Sequence, residues 1–301
     1  MAATVATMPL LAALLGAVAI SFSAIFFELS GVEAITGAFF RVAYALPILV
    51  LLWWRVKQRD NRSRKERLLA VGAGIVLGGD FISWHLSIHH IGAGLATLLA
   101  NCQVVIVAVL AWVLLGEKPS RRVIIAVPIV LAGVALVSGL GRSDSFGSDP
   151  LTGTLLALSA AFFYAFFLLG FRRSNRVQAP AVGPLMDATA GALISTSLAG
   201  IVFGGLDVVP GWPSHGWLVA LALVAQVGGW LAIGYALPRL PAAETSTFIL
   251  IQPVLTMAWG AIIFSERPSP LQLSGAALVL AGVGMVALAT NRRRKVIPAT
   301  S

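Results

Sequence analysis

The amino-acid sequence predicts an all-α integral membrane fold, and composition, segment length and charge placement carry that prediction. Of the 301 residues, 58% are hydrophobic and only 11% are charged, whereas a soluble domain has roughly 25% charged residues. So few polar side chains could not cover the surface of a soluble fold of this size. The chain is therefore expected to lie mostly in lipid.

Ten apolar segments of 19 to 24 residues follow one another along the chain. About 20 helical residues cross the roughly 30 Å hydrocarbon layer of a membrane. The segments are continuously apolar rather than alternating, which favours helices over membrane strands. The first segment is long enough to span, and no basic region precedes it, which disfavours a cleaved signal peptide. The predicted spans, numbered 1 to 10, are 9–29, 34–54, 68–88, 92–115, 122–140, 152–171, 183–204, 217–237, 242–264 and 270–289.

Basic residues are concentrated in alternate loops. The loop 55–67, RVKQRDNRSRKER, holds seven Lys or Arg residues, while 30–33 and 205–216 hold none. This positive-inside pattern predicts that both termini are cytoplasmic. It also explains the net charge of +9 by solvated basic loops at the lipid surface rather than by a nucleic-acid site. We expect a multi-pass protein of a bacterial plasma (inner) membrane, in contact with lipids and with no nucleic-acid partner.

The second half of the sequence repeats the first. NCQVVIVAVLAWVLLGEKPS and LIQPVLTMAWGAIIFSERPS align without a gap at an offset of 149 residues. Gln103 meets Gln252 and Glu117 meets Glu266, an agreement that apolar composition alone does not explain. Five spans in each half would invert the second half, and inverted repeats are typical of secondary transporters with a site near the midplane. The predicted organisation is a first repeat at 1–141, an extracytoplasmic linker at 142–151, a second repeat at 152–290 and a basic cytoplasmic tail at 291–301.

Three stretches of the sequence have a family resemblance. They are GEKPS…VLAGV after span 4, its copy SERPS…VLAGV after span 9, and SAIFFELSG…FFRVAYALPILVLLWW in the first two spans. With these motifs the chain resembles the ten-span EamA group of the drug/metabolite transporter superfamily. The resemblance implies a carrier of two EamA repeats, often an exporter of amino acids, other metabolites or drugs. It also implies that spans 1, 3, 4, 6, 8 and 9 face a central cavity, with spans 5 and 10 behind them.

Ionisable side chains within the spans are the first site candidates, because charges in lipid are costly and usually face protein or water. Asp80 in span 3 shares a helix face with Trp84. We interpret Asp80 as a proton-coupling or substrate-binding group, with a structural hydrogen bond or an ion pair to Arg41 as the alternative. His85 is a second proton-coupling candidate, since histidine titrates near neutral pH, or a packing histidine. Arg41 and Asp187 are interpreted as structural charges.

Polar faces on other spans add substrate-binding candidates. In span 9, Thr245 and Gln252 share a face, and Pro253 leaves a backbone carbonyl without its helical donor. Such a break is tolerated only where the helix faces protein or a cavity, although interhelical hydrogen bonds are the alternative. Asn101 is favoured for the cavity, and Gln103, about 200° around a continuous helix, is expected to be a packing contact. The remaining candidates are Tyr164, Gln226 and Trp230.

Other features are expected to be structural. Glu117 and Glu266 are interpreted as caps or hinges for the helix that follows each of them. A stripe of small residues, Gly275 and Gly282 with Ala132 and Gly133, predicts close packing of spans 5 and 10, within one subunit or in a homodimer. The single cysteine, Cys102, excludes an intrachain disulfide and a cysteine metal cluster. The histidines lack acidic partners at ligand spacing, so neither a metal site nor a cofactor is expected.

The leading hypothesis is a secondary carrier that moves small polar or amphipathic metabolites, drugs among them, by alternating access. A small-molecule substrate, and protons as a coupling ion, would be its partners. The sequence lacks the phosphate-binding loop of ATP-driven transport and the HExxH and GxSxG motifs of enzymes, so no catalytic residues are expected. A passive channel and an intramembrane enzyme are the alternatives.

Overall fold

The computed structural model describes the backbone of residues 2–115, 120–139, 145–174, 180–236 and 242–296, and side chains over most of these ranges. The regular structure within them is helical. A short 3₁₀ turn, Lys57–Arg59, follows the third helix, and a π-helical stretch, Leu221–Gly229, joins the ninth to the tenth. The α-helices are α1 Ala2–Ser21, α2 Ser23–Ser30, α3 Ala34–Val56, α4 Arg64–Ala100, α5 Gln103–Leu115, α6 Arg121–Val137, α7 Pro150–Ser174, α8 Val182–Phe203, α9 Ser214–Ala220, α10 Trp230–Ala236, α11 Ala242–Phe264 and α12 Pro270–Val296.

Six helical stretches in the described ranges are long and apolar enough to cross a membrane. Two shorter apolar helices, Ile251–Phe264 and Pro270–Val286, accompany them. The predicted all-helical membrane character is therefore confirmed. The count of ten spans stays a prediction, because α5 has only 13 residues and α6 only 17. The six long stretches are Met8–Ser30, Ala34–Arg59, Arg64–Ala100, Pro150–Phe171, Val182–Phe203 and Ser214–Ala236.

The predicted span 4 is not one continuous helix. Its first part continues α4 beyond a kink at Gly92, whose φ of 78° lies in the region that glycine adopts at little cost. Asn101 and Cys102 then form a turn before α5 begins. Cys102 is free and buried at this turn. The interruption changes which side chains of this segment share a face.

Helices α6 and α12 pack closely through small residues within this one chain. A Cβ atom added to Gly133 would lie 2.7 Å from the carbonyl oxygen of Gly275, and one added to Gly282 would clash with Val130 Cγ2. Backbones can approach this closely only where side chains are absent. The stripe of small residues therefore serves packing between the two helices, one of the two alternatives left open by the sequence.

The loop after α3 is not wholly solvated, contrary to the prediction for the basic segment 55–67. Arg62 is buried, with only 6% of its surface exposed. Its guanidinium contacts Asp60 Oδ1 at 2.8 Å and Asp187 Oδ2 at 2.8 Å. Burial alone would raise the pKa of Asp60, but hydrogen bonds from Arg62 and Trp53 lower that pKa to about 2. Asp187, predicted as a structural charge, thus connects α8 to this loop.

Candidate functional site

A cavity of about 320 Å³ lies between helices from both halves of the chain. The first half contributes α1 to α5, and the second contributes α7, α10 and α11. Of the described residues of α6 and α12, none lines it, which is the arrangement the resemblance implied for spans 5 and 10. Span 2 also contributes, through Arg41, which the resemblance did not imply.

Arg41 is the buried cation of the cavity wall. Its Nε donates a hydrogen bond to Gln226 Oε1 at 2.9 Å, and its Nη1 donates one to Ser23 Oγ at 3.0 Å. The guanidinium carbon lies 4.0 Å from the ring centroid of Phe81 and 5.7 Å from that of Trp84. Two hydrogen bonds and two aromatic contacts therefore hold the guanidinium in one position, and within the described residues its Nη2 has no hydrogen-bond partner.

Asp80 lines the same cavity from α4. The predicted alternative of an ion pair with Arg41 is not formed: the salt bridges recorded for the described residues join Arg62 to Asp60 and Asp187, and Arg67 to Asp60. Arg41 is nevertheless near enough to act on the Asp80 carboxylate electrostatically. In the part of the chain that the structure describes, no side chain or backbone group donates a hydrogen bond to Asp80. The Asp80 carboxyl group is thus buried within the protein, and it faces the cavity without a hydrogen-bond donor from the described residues.

The interruption of span 4 supplies the polar part of the wall. Thr97 precedes it and Asn101 is its first residue, and Asn101 Nδ2 donates to the Thr97 carbonyl oxygen at 2.8 Å. Thr97 Oγ1 and Gln103 Oε1 are buried without a hydrogen-bond partner among the described residues. Buried polar atoms are normally hydrogen-bonded, so these two are suited to contact a ligand or water.

The prediction that Gln103 is a packing contact was wrong. It assumed a continuous helix from Asn101 through Gln103, which places them about 200° apart at 100° per residue. The turn at Cys102 breaks that geometry, and both side chains line the cavity. The repeat held the missing signal, because Gln252, which aligns with Gln103, lines the cavity as well.

Aromatic side chains form the apolar part of the wall. The rings of Tyr164 and Trp230 have centroids 6.3 Å apart, and Phe167 packs 6.0 Å from Trp230 behind them. Trp84 completes the aromatic wall on α4. Indole and phenol rings of this kind can pack against apolar groups and also attract cations.

Most of the predicted substrate-binding residues meet at this cavity. Gln226 is fully buried and acts on the cavity through its hydrogen bond to Arg41. Thr245 lies outside the side chains that the structure describes. That any of them binds substrate stays a prediction. Those that line the cavity are Asp80, Trp84, Asn101, Tyr164, Trp230 and Gln252.

His85, the second predicted proton-coupling candidate, does not line the cavity. It is fully buried and stacks on Phe27, with ring centroids 3.8 Å apart. Its Nδ1 lies 3.2 Å from the carbonyl oxygen of Ala34, and since a carbonyl only accepts, Nδ1 carries the proton. This geometry agrees with the packing alternative for His85. In the described ranges, no cluster of three His, Cys, Asp or Glu side chains could hold a metal ion.

Glu266 has a role that the sequence did not predict. It accepts hydrogen bonds from the backbone N–H groups of Ala93 at 2.6 Å and Gly94 at 3.1 Å. A carboxylate at a helix N-terminus is favoured by the helix dipole. Burial nevertheless raises the pKa of Glu266, against the lowering effect of these two hydrogen bonds. Glu266 thus caps the helical section after the Gly92 kink.

The prediction for Glu266 was a cap or hinge for the helix after it. That helix, α12, is instead capped by Ser269 and Gln272, which exchange backbone-to-side-chain hydrogen bonds. Glu117, the aligned glutamate, lies outside the described residues. A contact between positions 173 residues apart leaves no local pattern in the sequence, which is why it was missed.

An aromatic stack lies between the cavity-lining part of α11 and Glu266. Phe22 lies 4.9 Å from Trp259 and 5.7 Å from Phe26, and Phe26 lies 6.2 Å from Trp217, all between ring centroids. Trp259 is about two turns beyond Gln252 along α11, in the direction of Glu266. We call this side the Glu266 end. The stack connects α2, α9 and α11 at this end, and the Glu266 cap connects it to α4.

Apolar helices of membrane length around a polar, partly charged cavity define a transmembrane transporter. The profile of the EamA-like transporter family matches residues 7–139 and 151–288. The chain belongs to this family, as the resemblance in the sequence motifs indicated.

Several curated relatives extend over most of the chain. The threonine/homoserine exporter RhtA of Escherichia coli (strain K12) is 26% identical over 90% of this chain and 86% of its own length. The "Probable terminal-alkyne amino-acid exporter" of Streptantibioticus cattleyicolor is 26% identical over 68% of both chains. A solved crystal structure covers 96% of this chain and 99% of its own, with a TM-score of 0.59 and 19% identity. That structure supports the fold alone.

Proposed function

We propose that this protein is a secondary carrier that exports amino acids or similar small metabolites across the bacterial plasma membrane by alternating access. One observation carries the proposal: a cavity of about 320 Å³ is lined from both halves of the chain and combines charged, polar and aromatic side chains. Relatives over most of the chain are named as threonine/homoserine and amino-acid exporters, which supports the substrate class and the outward direction.

The proposed mechanism of alternating access requires ten spans arranged as two inverted repeats, with both termini in the cytoplasm. In that orientation the Glu266 end is extracytoplasmic, and the contacts there would hold it closed while the carrier loads from the cytoplasm. Exchange of the packing at the two ends of the helix bundle would then release the substrate outside. Asp80 is the coupling group in this scheme, because its carboxylate faces the cavity without a donor among the described residues.

Counterflow in liposomes tests this proposal. Purified protein would be reconstituted, and a panel of labelled amino acids and other metabolites would be tested for saturable counterflow, with and without a pH gradient. Gln252→Ala should reduce counterflow several-fold because Gln252 lines the cavity. The matched control is Ser274→Ala, since Ser274 is exposed on α12 and its hydroxyl, within the described ranges, donates to the Pro270 carbonyl alone.

Two results would contradict the carrier. Flux that rises linearly with concentration and shows no counterflow would indicate the passive channel instead. Equal counterflow by the Gln252→Ala and Ser274→Ala variants would show that the cavity does not take part in transport.

A further inference from the structure

We propose that the cavity recognises the zwitterionic head of an α-amino acid, with the substrate carboxylate at Arg41 and its ammonium at Asp80. This proposal rests on the proposed function. It adds which side chain binds each charged group of the substrate. The observation behind it is that one buried cation and one buried anion line the same cavity without forming an ion pair with each other.

Arg41 is prepared for an anionic ligand. Gln226 and Ser23 occupy two of its nitrogens, and Phe81 packs on its flat face. Its Nη2 has no hydrogen-bond partner in the described ranges. A guanidinium fixed in this way loses little side-chain entropy on binding a carboxylate, and its planar donors match carboxylate geometry.

The same contacts explain why Arg41 does not neutralise Asp80. A buried ion that lacks a direct partner is costly, and a mobile arginine would move toward the carboxylate. The hydrogen bonds to Gln226 on the π-helical stretch and Ser23 on α2 hold it apart instead. The separation is thus maintained by three different elements.

Asp80 is prepared for a cationic donor. Its carboxylate faces the cavity, and the described part of the chain offers it no hydrogen bond. A substrate ammonium carries three N–H donors and no acceptor, which suits two carboxylate oxygens. Trp84, one turn along α4, adds an aromatic face that attracts cations.

The pair of charges favours a ligand that carries both signs. A ligand with a carboxylate alone leaves Asp80 unpaired in the cavity, and a ligand with an ammonium alone leaves Arg41 unpaired. Leaving a buried charged group without its partner is strongly unfavourable. The cavity should therefore discriminate by head group even where it tolerates different side chains.

Competition by blocked amino acids tests the assignment. L-threonine and L-leucine would each be compared with the N-acetyl derivative, which lacks the ammonium, and the carboxamide, which lacks the carboxylate. The readout is inhibition of counterflow of the labelled parent by wild-type protein. Both derivatives should compete about 10- to 100-fold more weakly than the parent, the range expected for one charge-assisted hydrogen bond.

Two variants separate recognition from a merely structural role. Asp80→Asn should bring the N-acetyl derivative close to the parent while the carboxamide stays weak. Arg41→Gln should do the reverse, bringing the carboxamide close to the parent. Asp80→Asn has nearly the same shape and removes no hydrogen bond seen in the described structure, so it keeps the test valid if Arg41→Gln fails to fold. Glu33→Gln, which removes an exposed acid outside the cavity, is the control.

The outcomes are distinct. Equal competition by parent and both derivatives, or an equal loss for all three in Asp80→Asn, would overturn the zwitterion assignment and leave the carrier intact. Absence of counterflow with L-threonine, L-leucine and the wider panel would overturn the proposed function and this assignment with it.

Discussion

At the scale of single residues, Arg41 and Asp80 show how a largely apolar bundle accommodates charge. Arg41 is 4% exposed and Asp80 is 7% exposed. Cation–π contacts such as that with Phe81 contribute about 0.5–2 kcal/mol, and hydrogen bonds to a charged group contribute about 1.5–3 kcal/mol each. Arg41 has such compensation from the protein, whereas Asp80 has none among the described residues. Asp80 is therefore the residue whose protonation or ligand should matter most.

Asp80→Asn should abolish the dependence of transport on a pH gradient, because the neutral amide cannot release a proton. Among the described residues, Arg41 and Tyr164 are the charged or titratable groups that interact electrostatically with Asp80 at the cavity. His85→Asn should keep the dependence, since His85 is packed on Phe27 away from the cavity. Counterflow at equal and unequal pH in liposomes measures both. Full pH dependence in Asp80→Asn would remove that carboxylate from the coupling mechanism.

At the scale of elements, glycines and helix breaks determine where helices meet and which side chains face the cavity. Gly133 and Gly275 let α6 and α12 approach to backbone contact, which keeps these two helices together away from the cavity. The turn at Asn101 and Cys102 has the opposite effect on span 4, because it turns the polar residues on both sides of it toward the cavity. Close packing thus places α6 and α12 outside the cavity, whereas the interruption of span 4 brings polar side chains to the cavity wall.

Gly133→Ala should lower the thermal stability of the protein in detergent. Its Cβ would meet the Gly275 carbonyl oxygen at 2.7 Å, an obstacle of backbone that must shift, and such overpacking costs about 1–3 kcal/mol. Gly72→Ala on α4 is the matched control, because a Cβ there meets nothing within 4 Å and alanine favours the helix by up to about 1 kcal/mol. Thermal unfolding measures both. Equal midpoints for the two variants would contradict the packing described for α6 and α12.

At the scale of the whole molecule, contacts at the Glu266 end join parts of the chain that are distant in sequence. Glu266 caps the section of α4 after Gly92, while Ser214 Oγ donates to the Ser30 carbonyl at 2.6 Å and Thr36 Oγ1 donates to the Gly205 carbonyl at 2.9 Å. These contacts connect both halves of the chain at one end. An alternating-access cycle would have to break them.

Glu266→Ala should increase access to the Glu266 end. The substitution removes two hydrogen bonds to a carboxylate, which contribute about 1.5–3 kcal/mol each, and so favours conformations in which this end is open. Access would be read from the rate at which a membrane-impermeant maleimide labels Ala93→Cys in a Cys102→Ser background. Ala93 is fully buried, so labelling reports opening.

Glu33→Ala is the control for this experiment, because Glu33 is an exposed acid that precedes α3 without a side-chain cap. Its labelling rate should equal that of the parent, while Glu266→Ala should label several-fold faster. Equal rates in all three proteins would show that Glu266 does not hold this end closed.

Much of the candidate site could be predicted from the sequence, because the signal depends only on a residue and its neighbours along the chain. Asp80 is an ionisable interruption of an apolar run, and its cost in lipid is independent of where other helices lie. Trp84 is identified by its place on the same helix face as Asp80, which is also a local feature. Gln103 was misassigned because its placement depends on a turn within the span. His85 was included because a buried histidine that packs and one that lines a cavity give the same sequence pattern.

The sequence by itself determined the helical membrane class, and its motifs indicated the transporter family, because hydropathy and charge placement act residue by residue along the chain. The tertiary structure decided which polar groups share a space. Arg41 with Gln226, Glu266 with Ala93, and Arg62 with Asp187 are contacts between residues far apart in the chain. Their formation depends on helix kinks and on packing distances of a few ångströms, and neither leaves a periodic signal in the sequence.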